Sequence, residues 1–176
     1  MKKFFAILFT AMMLVVGTAF AEEEIVELNW ADFESQVLEA DWGGSIVAYE
    51  DLGVQFYVPD VFSEGEMTEE DVADDMIDYY TTEDESAAIG IFYVEADGVT
   101  LEEFAEEATK DGSDVDVAVI NGLDAIVYED IEADAVTVVF ATESEDMIVF
   151  VFAPASDEEF SAVALVMMAS IQPITE

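Results

Sequence analysis

The chain has 176 residues and carries 43 Asp and Glu against three Lys, with no Arg, His or Cys, for a formal net charge of −40. That balance excludes nucleic-acid binding by phosphate neutralisation and attraction to anionic membranes. It equally excludes a Ser-His-Asp triad, a thiol nucleophile, a Cys/His zinc site, disulfides and an arginine clamp for anionic substrates. Yet 53% of the residues are hydrophobic and 12% aromatic, a content that disordered acidic segments lack, so a folded interior beneath an acidic coat is expected.

In chain order, Lys2 and Lys3 precede the uncharged apolar run Phe4 to Val16, and Ala19-Phe20-Ala21 supplies a small-x-small cleavage pattern. Residues 1–21 are therefore expected to be a signal peptide, removed on export, rather than a membrane anchor, because Glu22, Glu23 and Glu24 follow with no cationic stop-transfer signal. Cleavage takes the two lysines away and leaves a net charge of −42, with Lys110 the single positive side chain. No lipobox cysteine exists, so the product is expected in the periplasm or the medium, not lipid-anchored. A flexible acidic arm over residues 22–28 should lead into a single domain over 29–176, a length that buries a real core without cross-links.

Asn29 is placed to cap a short helix with Trp30, Phe33 and Val37 on one face, ended by Gly43-Gly44. Ile46 to Glu50 and Val54 to Val58 read as a hairpin about Asp51-Leu52-Gly53, with Pro59 closing the second strand. Thr68-Glu69-Glu70-Asp71 starts a brief helical turn. Met76 to Thr82 and Ala87 to Val94 form another strand pair, the second with no polar position and so expected to be central. Thr100 with Glu103 is a capping box that opens a helix presenting Leu101, Phe104, Ala105 and Ala108, with Gly112 beyond its end. Val115 to Ile120 and Leu123 to Tyr128 flank Asn121-Gly122, a strong hairpin turn. Ala135 to Ala141 and Met147 to Ala153 make one more pair, closed by Pro154. Ser156 with Glu159 reads as a second capping box for a last helix whose stripe is Phe160, Val163, Ala164, Met167, Met168 and Ile171, stopped by Pro173. Hairpins with interspersed helices specify an α+β fold, a mostly antiparallel sheet with helices packed on it.

This order resembles the PsbP-like α/β/α sandwich family, which includes bacterial DcrB-like envelope and secreted proteins. The resemblance rests on Val54-Gln55-Phe56-Tyr57-Val58-Pro59-Asp60, on Asp97-Gly98 leading into Thr100-Leu101-Glu102-Glu103-Phe104, on Ile120-Asn121-Gly122-Leu123-Asp124-Ala125, and on the closing Ala169-Ser170-Ile171. It spans roughly residues 45–171, most of the mature chain, and consists of turn and cap chemistry. What it implies is the sandwich fold and an accessory, binding role rather than a reaction, and it carries over no site residue.

Carboxylates are the chemistry that remains. Asp111, Asp114 and Asp116, with Ser113, lie close in sequence where a helix ends, an arrangement of oxygens that suits calcium. The EF-hand pattern is absent, and a solvated turn explains the same residues. Glu69, Glu70, Asp71, Asp74, Asp75 and Asp78, continuing to Glu83, Asp84 and Glu85, form a second cluster, either a solubilising face or a surface that steers a basic partner. Tyr79, Tyr80 and Tyr93 are candidates for recognition, with cross-strand packing the plainer role. Trp30 and Trp42 read as packing for the first helix, and Lys110 as a complement to its helix dipole. The function expected from the sequence is a non-catalytic exported accessory or binding protein acting on a cationic protein or cell-wall component, with no catalytic residue and no cofactor. A calcium-binding protein is the alternative, and a small carboxylate-dependent hydrolase the third reading. Adaptation to a salty habitat is a separate origin for the acidity.

Overall fold

The computed structural model describes residues 25–174 except 40–41, 97, 111–112 and 143–145; the expected signal peptide, residues 1–21, lies outside the described residues. Eleven strands and four helices follow in the order β1 (Val26–Leu28), α1 (Trp30–Glu39), β2 (Gly44–Tyr49), β3 (Val54–Pro59), β4 (Phe62–Glu64), α2 (Glu69–Ala73), β5 (Met76–Thr82), β6 (Ala88–Val94), α3 (Leu101–Lys110), β7 (Val115–Ile120), β8 (Leu123–Asp130), β9 (Ala135–Ala141), β10 (Met147–Ala153), α4 (Glu158–Ala169) and β11 (Gln172–Pro173). The fold class is α+β, as expected.

The strands divide between two sheets. An eight-stranded sheet runs β1-β7-β8-β9-β10-β6-β5-β4, and a three-stranded sheet runs β11-β3-β2. Alternation along each strand assigns the two faces of the large sheet. Ile89, Ile91, Val138, Phe140, Ile148, Phe150 and Phe152 point to one side, where they meet Phe56 of β3 and Phe160, Ala164 and Met167 of α4. Val139, Met147 and Val149 point to the other, under Leu101, Phe104 and Ala105 of α3. Phe150 is the centre of the main core, with Phe56 and Phe140 set edge-on to it at ring-centroid separations of 5.3 and 6.1 Å.

α4 is buried on two sides, which a single apolar stripe did not foretell. Phe160, Ala164 and Met167 face the large sheet, while Ala162 and Val166 pack with Tyr57 beneath Val37, Trp30 and Phe33 of α1. Trp30 and Trp42 pack against that same cluster, as the sequence suggested.

Three expectations are corrected. The loose arm over 22–28 contains a strand: Val26–Leu28 pairs in parallel with Ala118–Ile120 of β7, because alternation in Val-Glu-Leu packs Val26 and Leu28, each partly buried, against the main core. The cap of α4 is Asp157, whose Oδ1 accepts from the N–H groups of Glu159 and Phe160, both at 2.9 Å. Ser156 is drawn away from that role by Asp134, to which its N–H and hydroxyl both donate at 2.7 Å. Pro173 does not stop α4: the helix ends at Ala169, and Gln172–Pro173 turns back to pair with β3. Ile171 keeps its fully buried place just beyond the helix.

The return of the chain is held by Ser170, itself fully buried. Its hydroxyl donates to Met167 O at 2.6 Å and accepts from Tyr57 N–H at 2.8 Å. That amide lies past the end of the short β11 pairing, so the serine supplies the acceptor that a longer strand would have supplied.

Candidate binding surface

Among the described residues the only ion pair joins Lys110 to Glu106, 3.4 Å apart, one turn away on α3, and both side chains are largely exposed. The single cation of residues 22–176 is thus spent locally, in the last turn of its helix. No other cationic side chain lies in residues 22–176, so the negative charges of the surface add up without compensation.

The two acidic clusters resolve differently. Asp114 and Asp116 are exposed, before and within β7, and Asp111 lies outside the described residues. Among the described residues no group of three or more carboxylates is gathered to hold a metal ion.

The second cluster breaks into separate tasks. Asp71 caps α2 with Thr68, accepting from its N–H at 2.7 Å, and that backbone hydrogen bond holds the Asp71 carboxyl below the usual range. Asp84 accepts from the Ser86 hydroxyl at 2.7 Å and the Thr82 hydroxyl at 2.9 Å, which lowers it likewise. Glu69, Glu70, Asp74 and Asp75 face solvent.

Asp78 turns inward instead, and nothing in its acidic neighbourhood marked it as different. Its Oδ2 accepts from the hydroxyl of Tyr49 at 2.6 Å and that of Tyr80 at 2.8 Å, and its Oδ1 from Tyr79 N–H at 2.8 Å. Tyr49 belongs to β2 and Asp78 to β5, so the carboxylate fastens the small sheet to the large one. Burial, followed by the bond to Asp78, raises the Tyr49 hydroxyl far above its ordinary 10.0. The same causes push Tyr80 up to about 12. The one available clue was spacing, since Asp78 and Tyr80 sit two apart on one strand and share a face.

Of the three tyrosines considered for recognition, Tyr80 is buried against Phe56 and Tyr93 donates its hydroxyl to Asp146. Tyr79 covers Gly65, where a Cβ would meet its ring at 2.3 Å. These are packing roles. A cavity of about 130 Å³ opens between the large sheet and α4, lined by Val136, Phe152, Phe160, Ala164 and Met168, with Glu129 its one carboxylate. A carboxylate hydrolase needs two facing carboxyls, and this cavity does not bring two together.

The polar interior is fully paired: among the described residues no buried side-chain nitrogen or oxygen lacks a hydrogen-bond partner. No helix among them is long and apolar enough to cross a membrane.

No protein-family model and no curated protein matches the chain. Among solved structures, it is similar to the solution structure of cyanobacterial PsbP (CyanoP) from Synechocystis sp. PCC 6803, with a TM-score of 0.55 and 11% identity, over 74% of this chain and 92% of that one. The fold is PsbP-like.

Proposed function

We propose that this chain is an exported, non-catalytic accessory or binding protein, of the DcrB-like envelope type, whose acidic surface engages a cationic partner. The observation that carries the reading is the uncompensated field: 43 acids in the chain and, among the described residues, one ion pair. Such a field raises the encounter rate with a basic protein or cell-wall polymer by roughly 10- to 1,000-fold and is strongly screened by salt. The PsbP-like fold supports the same direction, as a scaffold with polar groups used for its own packing.

Calorimetry with an oligolysine peptide at about 0.02 M salt should show binding that weakens at least tenfold by about 0.3 M. No binding at low salt would overturn the reading. A stoichiometric heat with micromolar calcium, unaffected by oligolysine, would replace it with a divalent-cation site.

The same field sets the stability. Raising ionic strength from about 0.01 to about 0.15 M shortens the Debye length from about 30 to about 8 Å. Relief of roughly 2 kcal/mol of self-repulsion then lifts the melting temperature by about 5 °C. A melting temperature that stays flat over that range would show the acids to be too well solvated to repel one another.

A further inference from the structure

Open sheet edges template the pairing of other chains, and proteins blunt them with shortness, charge or proline. Among the described residues, three of the four edges are blunted. β1 is three residues long with Glu27 at its middle, β4 is three residues long with Glu64 at its end, and β11 is two residues long and contains Pro173. β2 is not: Gly44-Ser45-Ile46-Val47-Ala48-Tyr49 is six residues, without charge or proline, in a chain that is 26% charged.

The register fixes which backbone groups that edge offers. Tyr57 N–H donates to Ser170 Oγ, away from β2, so the pair Ile46–Tyr57 exchanges no ladder bonds. Asp60 N–H donates to Gly43 O, which puts the bonded pairs one residue off. Alternation then turns the N–H and C=O of Gly44, Ile46 and Ala48 outward, and among the described residues no strand pairs with that side. Ile46 is 46% exposed beside them.

We propose that the outer edge of β2 receives an extended peptide as an added strand, with apolar or β-branched residues in its middle and a cation at each end. The cations follow from what flanks the edge: Asp60 lies against Gly43 at one end, and Glu50 and Asp51 follow Tyr49 at the other, about 20 Å apart along a strand of this length. Added-strand pairing takes its affinity from main-chain bonds and its specificity from such flanking contacts. A second copy of the chain is disfavoured as occupant, because both copies carry the same large negative charge. Tyr49, tied to Asp78 on the inner face, keeps the edge strand from peeling away as it binds. The proposal rests on the cationic-partner reading above and gives that partner a shape.

The test compares two synthetic peptides of equal charge, Lys-Val-Thr-Val-Thr-Val-Lys and Lys-Gly-Ser-Gly-Ser-Gly-Lys, on the full secreted protein. The first should bind at least tenfold more tightly and slow amide exchange at Gly44, Ile46 and Ala48. Ala48→Pro removes one outward donor while leaving the β3 ladder intact, the one place a strand tolerates proline. It should cost the first peptide tenfold or more in affinity with an unchanged melting curve. Ile46→Lys, at an exposed position, should do the same by repulsion and serves if the proline variant misfolds. Equal binding of both peptides with no protection at β2 overturns the strand site and leaves the cationic partner standing. No binding of either overturns both. A concentration-dependent dimer protected at the same amides assigns the edge to a second copy and overturns the peptide proposal.

Discussion

Replacing Asn121 by Asp is expected to destabilise the domain by about 3–5 kcal/mol, more than replacing it by Gly. Asn121 occupies the first position of the β7–β8 turn with φ 49°, followed by Gly122 with φ 84°, a backbone that Asn and Gly adopt at least cost. Its side chain then does more than turn the hairpin. Nδ2 donates to Ala169 O at 2.7 Å and Ile171 O at 2.6 Å, at the exit of α4, and Oδ1 accepts from Trp30 N–H at 2.7 Å, at the entry of α1. Its own N–H donates to Leu28 O at 2.9 Å. One residue thereby joins β1, α1, β7 and the end of α4.

Aspartate keeps the oxygen that Trp30 needs and preserves the turn, but it sets a second oxygen against two carbonyl oxygens. Glycine removes the amide, leaves those carbonyls to water, and costs about 2–3 kcal/mol. Urea titration of the two variants gives the comparison. An aspartate variant no weaker than the glycine variant would mean that the amide is not a donor to α4, and the clasp would be wrong.

Asn121 also shows where sequence reading succeeded and stopped. Asn-Gly between alternating apolar runs is local chemistry, so the turn and both strands were legible. The partners of its amide lie 48 and 50 residues away in sequence, and no local pattern points to them. The same divide runs through the fold. The β9–β10 hairpin fell on its observed boundaries because its strands are long, apolar and bounded by turns. The β2–β3 hairpin was legible as a hairpin, but not that it stands apart from the large sheet, nor that β11, two residues that alternation cannot reveal, joins it. β1 was hidden because Val-Glu-Leu follows a run of glutamates and reads as part of it. The cap of α4 shifted by one residue because Ser156 and Asp157 are both chemically able to cap, and the choice belongs to Asp134, 22 residues upstream. For the candidate surface, charge was legible from composition, whereas the open edge of β2 required knowing which strands have neighbours.

Asp78→Ala is expected to cost about 2–4 kcal/mol, because the buried Tyr80 and the half-buried Tyr49 lose their shared acceptor at once. Tyr49→Phe removes a donor together with its need for an acceptor, and should cost about 1–2 kcal/mol. The double variant should fall short of the sum, since both changes break the same bond between the sheets. Alkali probes the bridge independently. The unfolded chain releases tyrosine protons near 10.0, while in the fold Tyr80 holds its proton to about 12 and Tyr49 beyond that. A group whose folded pKa is raised stabilises the fold fully below the unfolded value and loses that contribution as pH climbs toward the folded one. Stability should therefore be level below about pH 9 and fall steeply above pH 10. Phenolate absorbance from the buried pair should appear together with the loss of near-ultraviolet circular dichroism. In Tyr49→Phe the fall should be shallower, because one of the two protons is no longer at stake. A wild-type protein that ionised both tyrosines near 10 while still folded would leave Asp78 an ordinary surface acid, and β2 without its fastening to the large sheet.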